Sequence, residues 1–272
     1  MADGYLMEHP EEALRLEIKT DIRSIREQAL WAGIKPGMRV ADIGCGPGKT
    51  TSVLYELVQP AGEAVGFDAS RQRIEHACQN YGSGQEGGNG IRFVQADISG
   101  LAPGQYGLFD FIWVRFVLEY YRSGSFEIVK KASELLRPGG VLCLIDLDHN
   151  CLSHYGLPPR LENTLFKLIR ALEEKADFDP YAGRKLYSFL FDMGFKDIDV
   201  NVSAHHLIFG QWKQEDLYNW FKKIEVATSK INFPFDEYED GGEGFLTEFL
   251  DFFKDPRRFI YTPLIACRGV KP

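Results

Sequence analysis

Three glycines at alternate positions mark the segment of the sequence whose spacing most directly predicts chemistry. They stand in the run Asp42-Ile-Gly-Cys-Gly-Pro-Gly48, which we expect to join a strand to a helix. Glycine lets the backbone turn sharply and approach a ligand without a Cβ in the way. Ligands of open α/β sheets bind at the carboxyl ends of strands. The run therefore predicts a ligand-binding loop, although glycine runs also form plain tight turns.

Two classes of ligand compete for such a loop. The dinucleotide fingerprint GxGxxG/A needs a small third residue, which lets the helix pack closely on the strand. Counted from Gly44, that residue is Lys49, so the fingerprint fails. The carboxylate of Asp42 favours a cationic ligand bearing an amine over a pyrophosphate. A cationic ligand is our first hypothesis, and NAD bound by an oxidoreductase is the alternative.

Two further carboxylates follow the next predicted strands. Asp68 ends the second strand, where it could accept hydrogen bonds from both ribose hydroxyls of a nucleoside. The alternative is a helix N-cap, which Asp68 or Ser70 could supply. Asp97 ends the third strand and could accept from an adenine amine, with Ile98 packed on the ring. The alternative for Asp97 is a turn residue.

The first half of the chain predicts the elements that must position these residues. Apolar runs predict strands at 38–43, 63–67, 91–95, 109–114 and 141–145, with helices at 49–58, 70–80 and 126–136 between them. Such alternation predicts a parallel sheet with helices on both faces. Residues 10–32 predict one amphipathic helix, with an apolar stripe formed by Leu14, Ile18, Ile22, Ile25 and Ala29.

The second half of the chain changes rhythm. It predicts helices at 161–172 and 183–193, a strand at 195–202, a mostly helical segment at 205–259 and a last strand at 261–268. The 205–259 segment is rich in aromatic residues, namely Trp212, Trp220, Phe221, Phe245, Phe249, Phe252 and Phe253. These rings could wall an apolar acceptor pocket, or they could be the ordinary core of a helical cap.

Five ordered motifs resemble those of class I S-adenosylmethionine-dependent methyltransferases. They are Asp42–Gly48, Phe67-Asp68, Ala96-Asp97-Ile98, the run from Phe109 to Glu119, and Leu136-Arg-Pro-Gly-Gly140. Within this family the chain resembles the small-molecule branch that includes the quinone-biosynthesis methyltransferases. The resemblance is strong over residues 38–148 and weaker at 5–16 and 179–186. It implies a Rossmann-like, doubly wound, seven-stranded α/β sheet whose last strand is antiparallel, and methyl transfer to a small molecule with S-adenosylhomocysteine as product.

The resemblance also implies which residues hold S-adenosylmethionine. Gly44 and the Val114–Arg115 segment would contact the methionine moiety, Asp68 the ribose, and Asp97 with Ile98 the adenine. Tyr5 would cap the cofactor. The full set of expected cofactor-binding residues is Tyr5, Asp42, Gly44, Cys45, Gly46, Gly48, Asp68, Ala69, Asp97, Ile98, Val114 and Arg115.

The predicted elements divide the chain into four parts. We expect an N-terminal helical cap at 1–37 and a cofactor-binding core at 38–204 with a helical insertion near 151–178. A helical lid at 205–258 and a final core strand at 259–272 complete the division. Inserting a helical block before the last strand would give the sheet a lid.

The sequence determines catalytic residues only weakly. Methyl transfer from a sulfonium is an in-line displacement, which an enzyme assists by alignment and exclusion of water. A general base is needed only if the acceptor must lose a proton. The candidates are Glu119, Tyr120 and His149, and Tyr120 stands where many relatives have His. His154, His205, His206, Arg15 and Arg184 are further candidates, for which packing or structural pairing is the competing role.

Composition narrows the partners. The chain of 272 residues has a net charge of −8 and scattered Lys and Arg residues, whereas nucleic-acid binding needs a basic surface. A small-molecule substrate is expected instead, with no metal. The five cysteines form no CxxC pair, which indicates reduced thiols. With no signal peptide and no apolar run of about 20 residues, we expect a cytoplasmic protein without a membrane partner. A non-transferring protein that only binds S-adenosylmethionine is a further alternative.

Overall fold

A mixed β-sheet forms the centre of the computed structural model, which describes residues 6–7, 12–82 and 90–272. Its strands are β1 (Arg39–Ile43), β2 (Glu63–Asp68), β3 (Ile91–Gln95), β4 (Phe109–Arg115), β5 (Leu136–Leu147), β6 (His154–Tyr155), β7 (Lys196–Phe209) and β8 (Phe259–Val270). The order across the sheet is β3-β2-β1-β4-β5-β8-β6, and β7 also pairs with β8. Strands β1 to β5 are parallel, and β8 is antiparallel to β5, β6 and β7.

This topology confirms the predicted doubly wound sheet with an antiparallel last strand. The two-residue strand β6 adds an eighth strand to the seven expected. The middle of the sheet is buried on both faces: Phe111, Ile112, Trp113 and Val114 of β4 are all fully buried. A continuous apolar run is typical of a parallel strand covered by helices on both sides. The pairing of β1 with both β2 and β4 places the ends of these three strands side by side.

Helices cover both faces of the sheet and build a cap beyond it. They are α1 (Glu12–Lys19), α2 (Ile22–Ala32), α3 (Lys49–Val58), α4 (Arg71–Tyr81), α5 (Pro103–Tyr106), α6 (Ser125–Glu134), α7 (Pro159–Lys175), α8 (Leu186–Asp192), α9 (Gln214–Ile231) and α10 (Gly242–Lys254). Short 3₁₀ turns occupy Ile98–Gly100, Leu118–Tyr120 and Gly183–Lys185. No helix within the described part of the chain is long and apolar enough to cross a membrane.

Helices α7, α9 and α10 pack together as a helical cap, and aromatic residues of the second half of the chain form its core. Phe245, Phe249 and Phe253 of α10 are fully buried and pack with residues of α7 and α9. Trp220 of α9 is also buried in this cluster. Of the two roles considered for these rings, the structure assigns these four residues to the cap core.

The single helix predicted for residues 10–32 is wrong, because the segment forms two helices. The helix is interrupted at Asp21, whose carboxylate accepts a hydrogen bond from Arg23 N at 3.0 Å and so caps α2. One residue earlier, the Thr20 hydroxyl donates to Leu16 O at 2.6 Å at the end of α1. The apolar periodicity ran through this break and concealed it.

The apolar stripe predicted for that segment is half wrong. Ile25 and Ala29 of α2 are fully buried, as expected. Leu14 and Ile18 of α1, and Ile22 at the start of α2, are instead exposed.

Strand β7 is longer than predicted. It continues from 202 to Phe209, so residues 205–209 pair with β8 instead of beginning a helical segment. His205 lies opposite Thr262, and Ile208 lies opposite Ile260. The register shifts between these two pairs, and His206 has a left-handed φ of 51°. This β-bulge interrupts the alternation of side chains and hid the strand in the sequence.

Gly48 should tolerate no side chain. Its φ is 95°, and an added Cβ would lie 2.7 Å from Ala77 Cβ and 2.9 Å from the Phe93 ring. We expect Gly48→Ala to lower the free energy of unfolding by about 2–4 kcal/mol, from backbone strain and overpacking. Urea denaturation measures this change. Gly104→Ala is the control, because nothing lies within 4 Å of that site; equal stability of the two variants would contradict the prediction.

Candidate functional site

The glycine run forms a tight loop at the carboxyl ends of β1 and β2. Gly44, Gly46 and Gly48 have φ values of 76°, 57° and 95°, which favour glycine. Gly44 N and Cys45 N both donate to Phe67 O, at 2.8 and 3.0 Å. The loop is therefore tied to the end of the neighbouring strand, where sequence analysis placed it.

Asp42 lies beneath the loop and is 2% exposed. It accepts a hydrogen bond from Thr51 Oγ1 in α3 at 2.7 Å. Burial raises the pKa of Asp42 to about 7, with the charge of Asp68 adding to the shift and Thr51 and Arg115 opposing it. Asp42 is thereby tied to the first turn of α3, which directly follows the glycine loop.

Asp68 connects the end of β2 to the glycine loop. Its Oδ2 accepts from Gly46 N at 2.9 Å, and its Oδ1 accepts from Ser70 N at 2.9 Å. Oδ1 also accepts from Arg73 Nε and Nη2 of α4, at 3.1 and 2.9 Å. Ser70, rather than Asp68, caps α4. Sequence analysis missed Arg73, which places a guanidinium on the carboxylate expected to bind ribose.

Residues at the end of β3 lie closer to solvent. Asp97 is exposed, and its Oδ1 accepts from Ser99 N at 2.8 Å and Ser99 Oγ at 2.5 Å. It therefore has the turn role considered as the alternative, which leaves adenine binding as a prediction. Ile98 is half-buried and Ala69 is exposed. Burial raises the pKa of Tyr121, and the charges of Asp97 and Asp68 add to the shift. This tyrosine therefore lies near both carboxylates, and the sequence did not predict it.

The end of β4 brings a buried cation next to the loop. Val114 is fully buried and pairs with Ile43 of β1. The Arg115 guanidinium lies over the Phe116 ring, 4.0 Å from its centroid. Burial lowers the pKa of Arg115 to about 10, against the charges of Asp42, Asp146 and Asp21. Its Nε is buried and makes no hydrogen bond with any described residue.

Glu119 is 3% exposed and belongs to a buried polar network. Its carboxylate accepts from Asn150 Nδ2, and Asn150 Oδ1 accepts from Lys223 Nζ of α9 at 2.9 Å. Its backbone N donates to Asp146 Oδ2 at 3.2 Å. Burial and the charge of Glu119 raise the pKa of Asp146 well above its ordinary value. Asn150 and Lys223 were missed because they come from distant parts of the chain.

The other two catalytic candidates pack against aromatic rings. Tyr120 is half-buried and its ring packs on Phe178, with centroids 6.1 Å apart. His149 is exposed and lies edge-on to Tyr181, at 5.2 Å. Tyr5, expected to cap the cofactor, lies outside the described residues.

Arg15 and Arg184 have structural partners. Arg15 donates from Nε and Nη2 to the Glu12 carboxylate at 2.7 and 2.6 Å. Arg184 donates from Nε and Nη2 to Asp148 at 2.8 and 2.9 Å. Structural pairing, the competing role considered for each, is what the structure shows.

A cavity of about 200 Å³ lies beside the glycine loop. Leu16, Lys19, Asp21, Ser24, Arg115, Phe116, Ala204, His205, His206 and Leu264 line it. Leu16 lies between the cavity and the glycine loop: it lines the cavity, and a Cβ added to Gly46 would lie 3.6 Å from Leu16 Cδ1. Lys19 has no motif around it, and no signal in the sequence indicated its place here.

A family model described as a methyltransferase domain matches residues 34–223, which is more than half of the chain. The chain belongs to the methyltransferase domain family. The matched range contains the glycine loop, Asp68, Asp97 and Glu119. Helix α1 and strand β8 lie outside it, so Lys19 comes from a segment beyond the matched domain.

Similar proteins agree with this membership. The demethylmenaquinone methyltransferase of Lactococcus lactis subsp. lactis is 28% identical over 141 residues, which are 49% of this chain and 54% of that protein. This chain spans about half the length of the curated relatives with which it was first aligned, the Lactococcus lactis protein among them.

Solved structures of low sequence identity share the fold. The YcgJ protein of Bacillus subtilis has a TM-score of 0.57 at 19% identity, covering 92% of this chain and 99% of that one. The mycolic acid cyclopropane synthase CmaA1, solved with S-adenosylhomocysteine and CTAB, has a TM-score of 0.56 at 16% identity, covering 91% and 84%.

The described part of the methyltransferase domain chain holds no group of three His, Cys, Asp or Glu side chains that could bind a metal. All five cysteines are free thiols, and Cys78 alone among them is exposed.

Stability should depend on pH through Asp42. Its folded pKa of about 7 exceeds the ordinary value of 3.8, so its stabilising contribution is complete below 3.8 and is lost as pH rises to 7. Asp42→Asn removes this loss and still accepts from Thr51. As the pH rises from about 5 to about 8, the free energy of unfolding of the variant should increase by about 2–3 kcal/mol relative to that of the parent.

Urea denaturation at both pH values measures this difference. Asp192→Asn, which removes an exposed carboxylate of α8, controls for the loss of one negative charge. A stability difference between Asp42→Asn and the parent that stays constant with pH would show that Asp42 is not held in a buried, proton-retaining state.

Proposed function

We propose that the protein is a methyltransferase that uses S-adenosylmethionine to methylate a small-molecule acceptor. The observation that carries this proposal is the loop of left-handed glycines whose Gly46 N–H is held by Asp68. In a chain that belongs to the methyltransferase domain family, this loop is the expected cofactor cradle. Its position at the carboxyl ends of β1 and β2 is where ligands of such sheets bind.

The residues around the loop fit this cofactor. Its methionine tail carries a carboxylate, and the buried Arg115 Nε, which has no hydrogen-bond partner within the described residues, suits that group. Asp68 Oδ2, which already accepts from Gly46 N, would take a ribose hydroxyl. Asp97 and Ile98 would bind the adenine, and the remaining predicted contacts of the loop, Ala69, Val114 and Tyr5 keep the roles expected from sequence. When bound, the cofactor supplies an electrophilic methyl group.

The chain contributes alignment and exclusion of water. Helix α1 lies over the loop: Lys49 Nζ donates to Glu17 O at 2.7 Å, and Leu16 lies near Gly46. Fixing two reactants in a dry site is worth up to about 7–11 kcal/mol of the barrier in favourable cases. Glu119 would position Asn150 instead of contacting the reactants, because its carboxylate accepts a hydrogen bond from Asn150 inside the protein.

The packing of the loop disfavours the dinucleotide alternative. The close approach of helix and strand occurs at Gly48, where Ala77 and Phe93 leave no room for a Cβ. In the dinucleotide fingerprint, counted from Gly44, the small residue comes one position later. That position is Lys49, whose side chain extends to α1.

The cellular setting is part of the same proposal. The net charge of −8 and the absence of a basic motif favour a small molecule over nucleic acid. The five unpaired thiols favour the cytoplasm. We retain the division into a cap at 1–37, a core at 38–204, a lid at 205–258 and a final strand at 259–272, with β7 extending to Phe209 as part of the sheet.

Parallel calorimetric titrations test the cofactor. We expect S-adenosylmethionine and S-adenosylhomocysteine to bind and NAD not to bind. Binding of NAD alone would overturn the proposal in favour of an oxidoreductase. Binding of S-adenosylmethionine that never yields S-adenosylhomocysteine with any acceptor would instead favour a non-transferring protein.

Asp68 should contribute directly to cofactor affinity. We expect Asp68→Ala to weaken binding of S-adenosylhomocysteine by about 1–3 kcal/mol, the scale of lost hydrogen bonds to a charged group. Calorimetry measures the affinity, and thermal unfolding verifies that the variant is folded at the temperature used. Asp192→Ala, on the far end of α8, is the control and should bind as the parent does. Unchanged affinity of folded Asp68→Ala would show that the ribose assignment is wrong.

A further inference from the structure

The cavity beside the glycine loop collects polar groups that the proposed cofactor site does not use. Lys19 comes from the end of α1, Asp21 from the α1–α2 junction, and His205 and His206 from β7. Arg115 stands at its boundary with the loop, since it lines the cavity and interacts electrostatically with Asp42. The cavity therefore adjoins the place proposed for the cofactor's methionine tail.

The bulge in β7 gives the cavity two histidines from consecutive positions. Neighbouring residues of a regular strand point to opposite faces of the sheet. The register shift after His205 and the left-handed φ of His206 break this rule, and both rings line the cavity. Their centroids are 3.9 Å apart.

Both histidines present a buried nitrogen that lacks a partner. His205 Nε2 and His206 Nδ1 are inaccessible to solvent and make no hydrogen bond with described residues. Burial and the nearby cations Lys19 and Lys223 lower the pKa of each ring well below its ordinary value. Both rings are therefore neutral near pH 7, and each leaves a polar atom that a ligand could satisfy.

Positive charge predominates around the cavity. Lys19 Nζ lies 5.1 Å from the centroid of the Phe116 ring. The charged or titratable groups facing Lys19 are Arg15 of its own helix, Arg115 and Glu119 at the end of β4, Lys223 of α9, Asp21, and the neutral rings His205 and His206. Arg15 is neutralised by its ion pair with Glu12, so Lys19, Arg115 and Lys223 face the two carboxylates Asp21 and Glu119, the second of which is bonded to Asn150. An anionic group is the complement of this arrangement.

Shape restricts the ligand further. A volume of about 200 Å³ is below the roughly 300–1,000 Å³ of pockets for drug-sized ligands. The Phe116 and His205 rings form an aromatic wall, with centroids 5.1 Å apart. A flat molecule of one ring fits such a wall and this volume.

We propose that this cavity is the acceptor site and that it takes a single-ring molecule carrying an anionic oxygen, which Lys19 binds. This assignment rests on the proposed function. It narrows the acceptor to a small aromatic anion, held by the Lys19 ammonium beside the rings of His205 and His206. Lys19 comes from outside the matched domain, as expected for a residue that selects the acceptor instead of the shared cofactor.

The protonation of Lys19 gives the site a measurable pH dependence. Burial and the charges of Arg15, Lys223 and Arg115 lower the pKa of Lys19 to about 7, against the charge of Glu119. The ammonium that binds an anion is therefore lost as pH rises through 7. Affinity for a permanently ionised carboxylate should fall over the same range.

Calorimetric titration with benzoate tests the site, with benzamide as the neutral probe of the same shape. We expect benzoate to bind the parent protein about tenfold more tightly at about pH 6 than at about pH 8.5, the scale of one charged hydrogen bond. Lys19→Met should lose about tenfold in affinity at the lower pH. Lys19→Arg should bind benzoate with nearly the same affinity at both pH values, and Lys35→Met, an exposed control, should match the parent.

Titration of each variant with S-adenosylhomocysteine separates this inference from the proposed function. Intact cofactor binding in Lys19→Met, with benzoate binding lost, supports the acceptor site. Loss of cofactor binding in folded Lys19→Met and Lys19→Arg would assign the cavity to the cofactor and overturn the inference. So would equal binding of benzoate and benzamide, no benzoate binding, or a pH dependence that persists in Lys19→Arg. Absence of cofactor binding in the parent would instead refute the proposed function.

Discussion

The carboxylate of Asp68 is the connection on which the geometry of the site depends. It accepts hydrogen bonds from the loop after β1, from the turn after β2 and from Arg73 of α4. Three separate segments of the chain thereby meet at one buried carboxylate. A charge buried to this degree is stable only when hydrogen bonds replace its water. The glycine loop is consequently tied to β2 and α4 through one carboxylate.

Much of this site could be predicted from sequence, because its information is local. The run Asp42–Gly48 has a spacing that only a tight turn satisfies, and apolar runs of four to six residues mark the buried strands around it. The order of the motifs then fixes which strand ends are neighbours. The parallel sheet and the place of the loop followed from these patterns, whereas the antiparallel last strand was implied by the resemblance to class I methyltransferases.

The acceptor side could not be predicted in the same way, because its residues come together only in three dimensions. Lys19 and His205 are far apart in sequence, and neither stands in a motif. The polar chain from Glu119 through Asn150 to Lys223 also joins three distant segments. The break between α1 and α2 depends on Asp21 acting as a cap, which an uninterrupted apolar periodicity conceals. Helix periodicity reports which residues are apolar, but it does not report which neighbour covers them.

The bulge at His205–His206 has a consequence for how the molecule behaves at high concentration. Within the described residues β7 pairs only with β8, so its other side presents unpaired backbone groups along a strand with exposed Val202, Leu207 and Phe209. A flat edge of this kind is a template on which another polypeptide can add a strand. The left-handed residue kinks the strand in its second half and breaks the regular spacing of those groups. The distortion that turns two imidazoles toward the cavity thus also shortens the stretch of regular edge that another strand could pair with.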